Sequence, residues 1–165
     1  MILFFAHLLI AQQIIDTSPI ACSAVVPGSV KEVWNAYTSS EGIKSWMAAS
    51  GTVDLRLGGL MRTSYRKGSD LKGDDVIENK IISLDPEHMI TIQCVGTPAT
   101  FPFKAALMKL WTVLYFEPVN AKEAKVTCRM LGFDESKDSQ QCRSFFKTGN
   151  QSELNSLVKR FTAKG

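Results

Sequence analysis

Two histidines, His7 and His88, are the whole supply of imidazole in this chain, and neither stands where a general base works. His7 lies inside the apolar opening run "MILFFAHLLIAQQII", and His88 ends a "DPEH" turn. Ser-His-Asp and Cys-His activation of a nucleophile therefore lack their base. The remaining acid–base groups are Glu78 and Glu117 on strand-like segments, with Tyr115 beside the second. They would serve only if burial against the interior raised their pKa values. The alternative is that each carboxylate points to water or pairs with a Lys or Arg, and no residue is assigned a catalytic role. Arg56 and Arg62 flank the glycine pair of "DLRLGGLMRTSY". Arg56 is the candidate anchor for a ligand carboxylate; otherwise both arginines are surface charges. A phosphate-cradling loop would run from a strand into a helix N-terminus. Here both flanks alternate, so Gly58-Gly59 read as the turn of a β-hairpin. The cysteines Cys22, Cys94, Cys128 and Cys142 are widely spaced, without CxxC or a Cys/His cluster, so no metal site and no cofactor is implied. They read as buried thiols; in an exported protein they could instead form up to two disulfides.

The elements that must position these groups follow from periodicity. "SPIACSAVV" (18–26) is rich in small and β-branched residues and stops at Pro27-Gly28, a strand followed by a turn. Ser29 with Glu32 three residues on forms a capping box. Val30, Val33, Trp34 and Tyr37 then make one apolar helical face. "SSEGIKSWMA" reads as a second short helix. The period then changes to two, with strands predicted over 51–57, 60–67, 75–84, 88–95, 111–118 and 123–132. In 111–118 both faces are apolar, Trp111, Val113 and Tyr115 against Thr112, Leu114 and Phe116, which predicts a mid-sheet strand covered on both sides. The last residues return to helical spacing. Asp134 or Ser136 is the expected cap, and Phe146, Leu154, Leu157, Val158 and Phe161 form the apolar stripe. Gly149 sits inside that helix, where it costs about 1 kcal/mol relative to alanine. It marks either tight packing on the sheet or room for a ligand.

The order strand, two short helices, six strands, long helix is α+β, a mostly antiparallel sheet with one helix over its concave face. A chain of 165 residues with 45% hydrophobic and 21% charged residues suffices for one domain with its own core. The net charge of +3 is dispersed and forms no basic stripe, which argues against nucleic acid as a partner. The opening apolar run is too short to span a bilayer. Residues 1–15 read as a signal peptide cut after Ala11, although no Lys or Arg precedes the run. An ordered N-terminal segment and a lipid-attachment signal at Cys22 are the alternatives. The signal reading makes the protein secreted or periplasmic, places its true start a few residues upstream and leaves 16–165 as the folded domain; without it, the protein is cytoplasmic.

The stretches "VPGSVKEVWNAYTSSEGIKSWM", "DLRLGGLMRTSY", "VIENKIISLDPEHMITI" and "WTVLYFEPVNAKEAKVTCRM" resemble the START-like (SRPBCC) superfamily, whose helix-grip fold curls a sheet of about seven strands around a long C-terminal helix. Within it, the chain is similar to the branch related to activators of the chaperone ATPase. The resemblance implies a deep apolar cavity that binds a hydrophobic small molecule or lipid, and the lack of a catalytic constellation in the sequence makes a non-enzymatic binder the expectation. It also leaves two other classes open: a cyclase, dehydratase or hydrolase using a buried carboxylate or tyrosine, and a chaperone-activator-like interaction module. On that fold the expected lining is Trp46, Met47, Trp111, Phe146 and Gly149. The long apolar connection "GTPATFPFKAALMKL" (96–110) is either a lid presenting Phe103 and Met108 or a segment folded back on the core.

Overall fold

The computed structural model describes residues 15–163. The expected leader, with His7 and the cleavage position after Ala11, lies outside them apart from Ile15. Seven strands form one sheet in the order β1-β7-β6-β5-β4-β3-β2, antiparallel throughout. They are β1 (Ile20–Val26), β2 (Ser50–Val53), β3 (Leu60–Ser64), β4 (Ile77–Asp85), β5 (Met89–Gly96), β6 (Trp111–Asn120) and β7 (Glu123–Leu131). Strands β2 to β7 are a consecutive meander, and β1 closes the order against β7. The helices are α1 (Val30–Thr38), α2 (Ser40–Lys44), α3 (Lys104–Leu107) and α4 (Lys137–Thr162). Among the described residues no helix is long and apolar enough to cross a membrane.

Local chemistry explains the boundaries. The Ser29–Glu32 capping box is formed in both directions at the start of α1. Ser39 ends α1 and caps α2, its hydroxyl accepting from the Gly42 amide at 3.0 Å. Ser136 caps α4 by accepting from the Ser139 amide. The strand expected over 51–57 stops at Val53. Residues 54–59 form a loop in which Leu55 and Leu57 are exposed and Arg56 pairs with Asp54 at 2.9 Å. Gly58 takes a positive φ of +76°, and a Cβ on Gly59 would lie 2.0 Å from the Asp54 carbonyl oxygen, so both positions need glycine. The pair also extends the β3–β4 ladder: Gly58 N–H donates to Ile81 O at 2.8 Å, and Ile81 N–H to Gly59 O at 2.9 Å.

Helices α1 and α4 cover the concave face. Val26, Trp34, Tyr37, Phe116, Val126 and Leu157 belong to the larger apolar cluster there. A second cluster, including Ile20, Leu107, Leu110, Phe133 and Cys142, joins α3 and the first half of α4 to the far end of the sheet. Strand β6 lies mid-sheet as expected, but only one of its faces is covered. Leu114 and Phe116 are buried, whereas Trp111 and Tyr115 on the convex face are each 37% exposed. Among the described residues only one face of the sheet carries a helical layer, so Trp111 and Tyr115 reach water while Val113 between them stays buried.

Candidate functional site

A cavity of about 460 Å³ lies between α4, the 97–110 segment and the concave face of the sheet. Strand parity builds its floor: Ile77 and Asn79 on β4, Ile92 and Cys94 on β5, Thr112 on β6 and Met130 on β7 all point to the same side. Phe145 and Phe146 of α4 form one wall, with Leu107 and Leu110 beyond them. The 97–110 segment closes the end. Phe101 packs edge-on to Phe103 and to Phe145, both at 6.0 Å, and Phe145 to Phe146 at 5.1 Å. The Gln93 side chain holds this segment by donating to the Met108 carbonyl at 3.1 Å. The connection therefore folds onto α4 and becomes part of the cavity wall.

Tyr65 stands on the opposite rim. Its neighbours Ser64 and Arg66 both bond to the Asp75 carboxylate, which holds that carboxyl well below the usual range and fixes the backbone around the tyrosine. Tyr65 keeps 75% of its surface accessible, yet burial raises its phenol, followed by the negative charge of Glu153.

Glu153 has the same character. It falls on the inward arc of α4 with Phe146, Gly149 and Leu157, at spacings of three and four. Its surface is exposed, yet the protein around it pushes its carboxyl above the usual carboxylate range by desolvation. The hydroxyl of buried Tyr37 on α1 donates to Glu153 Oε1 at 3.2 Å and partly offsets that rise. Nearby, Cys22 of β1 and Cys128 of β7 are direct cross-strand partners, both free thiols. The proximity of the two thiols draws Cys22 down and pushes Cys128 up. Cys142 is raised to about 11 by burial. No group of three His, Cys, Asp or Glu side chains among the described residues converges as a metal site.

The residues expected at the site separate. Phe146 lines the cavity. Gly149 follows one turn later, and a Cβ there would meet nothing within 4 Å, so open space and not tight packing lies before it. Phe103 stands behind Phe101 in the aromatic cluster, and Met108 is half-buried at the base of that wall. Trp46 and Met47 pack against the larger core instead. The Trp46 indole donates to the Ala36 carbonyl at 3.0 Å and meets Tyr37 edge-on at 4.9 Å. Trp111 is not brought to the cavity, because odd positions of β6 face the convex side, nor is Arg56, which stays in the exposed 54–59 loop. Tyr115, Glu117 and Glu78 are on the convex side too. Glu117 lies 3.8 Å from Lys125, and Glu78 pairs with Arg62 at 2.7 Å, so none of the three works in this cavity. Glu153 is the group that sequence reasoning missed. Its signal is its place four residues before Leu157 and seven after Phe146, on the same helical face.

Burial of an ionisable acid has a measurable consequence. Because the folded state favours the protonated form, Glu153 leaves stability intact below the unfolded carboxyl pKa of about 4.3 and lowers it as pH rises through the raised folded value. Glu153→Gln keeps an acceptor for Tyr37 and removes the charge. Its urea midpoint is expected to match the parent near pH 4 and exceed it at pH 8. Equal differences at the two pH values would refute the burial of this carboxyl.

A family model described as activator of Hsp90 ATPase homologue 1-like protein matches residues 27–162. No curated protein matches the chain. Among solved structures, the Aha1 dimer from Colwellia psychrerythraea superposes with a TM-score of 0.67 at 17% identity, over 87% of this chain and 96% of that one. The protein MLL2253 from Mesorhizobium loti gives 0.68 at 13% identity, over 90% and 99% of the two chains. Norcoclaurine synthase from Thalictrum flavum, in complex with dopamine and hydroxybenzaldehyde, gives 0.59 at 11% identity, over 89% and 87%. At these identities the likeness is one of fold, and the fold is helix-grip.

Proposed function

Because this chain belongs to the activator of Hsp90 ATPase homologue 1-like family, within the START-like (SRPBCC) fold, we propose that it binds a hydrophobic small molecule or lipid between the sheet and α4 without transforming it. The observation that carries this reading is the apolar cavity of about 460 Å³, within the usual range for small-molecule sites and walled by Phe101, Phe145 and Phe146. A tightly packed core would leave no space of that size. We place this activity in an exported protein whose leader lies within residues 1–15 and is cut after Ala11. Native mass spectrometry of the protein from its own host, followed by solvent extraction, tests the reading. A non-covalent mass that extracts into organic solvent is expected; protein that is ligand-free and fails to take up the neutral apolar dye Nile red would overturn it. N-terminal sequencing of the same sample tests export, with Gln12 the expected first residue.

A second reading, an acid–base enzyme in the same cavity, is favoured by the Glu153–Tyr37 pair alone. If extracts of parent and Glu153→Gln protein contain chemically different compounds, and not different amounts of one, catalysis replaces simple binding.

A further inference from the structure

The cavity is apolar where the aromatic residues stand, and two turns further along the same side of α4 stands a carboxyl group, Glu153. From Phe146 to Glu153 is seven residues, about 10 Å of helix rise, with Gly149 between them facing open space. Seven residues are close to two helical turns, so Glu153 leaves α4 on the same side as Phe146, which lines the cavity. Glu153 receives one hydrogen bond, from Tyr37. Among the described residues no Lys, Arg or His lies within ion-pair distance of it. The other groups around it, the Tyr37 and Tyr65 phenols and the Cys22 and Cys128 thiols, carry no positive charge in either protonation state. A carboxyl whose surroundings favour its neutral form is the place where a cation brings most, because the opposite charge restores the ionised form.

Resting on the ligand-binding reading above, we propose that the ligand carries a basic nitrogen, seated as its cation on Glu153, with its apolar or aromatic body against Phe101, Phe145 and Phe146. Glu153 then selects amines over alcohols and carboxylic acids of the same shape. Tyr37 positions the carboxylate by occupying Oε1, which leaves Oε2 for the ligand. An anionic ligand such as a free fatty acid is disfavoured, since it would bring a second negative charge beside the first.

The test compares 4-phenylbutylamine, 4-phenylbutanol and 4-phenylbutanoate at pH 8, where Glu153 is more fully ionised and the amine protonated, by displacement of Nile red and by NMR titration. In the parent protein the amine is expected to bind at least fivefold tighter than the alcohol, and the carboxylate weakest. Glu153→Gln is expected to bring amine and alcohol within fivefold of each other while leaving the alcohol's affinity unchanged, which also shows that the variant is folded. An amine advantage below fivefold in the parent, or one that survives Glu153→Gln, overturns the inference while the cavity reading stands. If neither the probes nor Nile red bind the parent, the cavity reading fails and the inference with it.

Discussion

Truncating Phe116 to alanine is expected to lower the unfolding free energy by about 3–5 kcal/mol, the range for deleting a large aromatic side chain from a close-packed core. Phe116 is 2% exposed and sits on the concave side of β6. Its ring meets Trp34 edge-on at 5.2 Å and Tyr37 at 5.6 Å, so it is where α1 docks on the sheet. The cavity left behind cannot collapse easily, because strands on both sides hold β6 in register. Tyr115→Ala on the same strand supplies the contrast. That ring is on the convex face and partly in water, and its loss is expected to cost about 1 kcal/mol or less. Urea unfolding of the two variants reads the difference directly. Similar losses at the two positions would mean that the faces of β6 are not distinguished as described.

The second large effect moves stability and binding in opposite directions. Gly149→Leu replaces the poorest non-proline helix former by a good one, worth about 0.5–1 kcal/mol in a helix interior. The new side chain has space to enter, since nothing lies within 4 Å of its Cβ. It therefore projects between Phe146 and Glu153 and occupies the volume we assign to the ligand. A raised melting temperature together with at least a tenfold loss of Nile red affinity is the expected pair of results. Destabilisation would show that Gly149 is tightly packed after all, and unchanged dye binding would place the ligand elsewhere. Glycine held at a helix position where alanine would be tolerated sterically is then explained by the space it leaves.

Much of this architecture is legible locally. Ser29 and Glu32 announce the start of α1 because a capping box is satisfied within four residues. The six later strands are visible as period-two segments, and all six form within a few residues of the expected bounds. The site is less legible. Alternation in "WTVLYFEP" sorts Trp111 and Tyr115 from Leu114 and Phe116, but both sets are apolar, and nothing within the strand says which will be covered. Arg56 was placed on a strand flank that the ladder never reaches, because the Gly58–Gly59 pair docks on Ile81 and residues 54–59 bulge away. Around Glu153 the stretch "NQSELNS" reads as a solvated surface, and an apolar-only stripe passes from Phe146 to Leu154 without it.

What the residues determine alone is therefore the set of elements and their chain order, since hydrogen-bonded caps, turns and side-chain periods act over a few neighbours. Those in turn restrict the fold to a meander with one long helix across it. Which arc of α4 faces inward is different in kind. It is settled when Leu154 and Leu157 enter the core, and the same rotation carries Glu153 to the Tyr37 hydroxyl. The sign of each β6 face and the closure of the cavity by Phe101 depend in the same way on contacts between segments far apart in sequence. A carboxyl on the inward arc of an otherwise apolar stripe opposes local preference, so only the packing of the whole molecule could put it there.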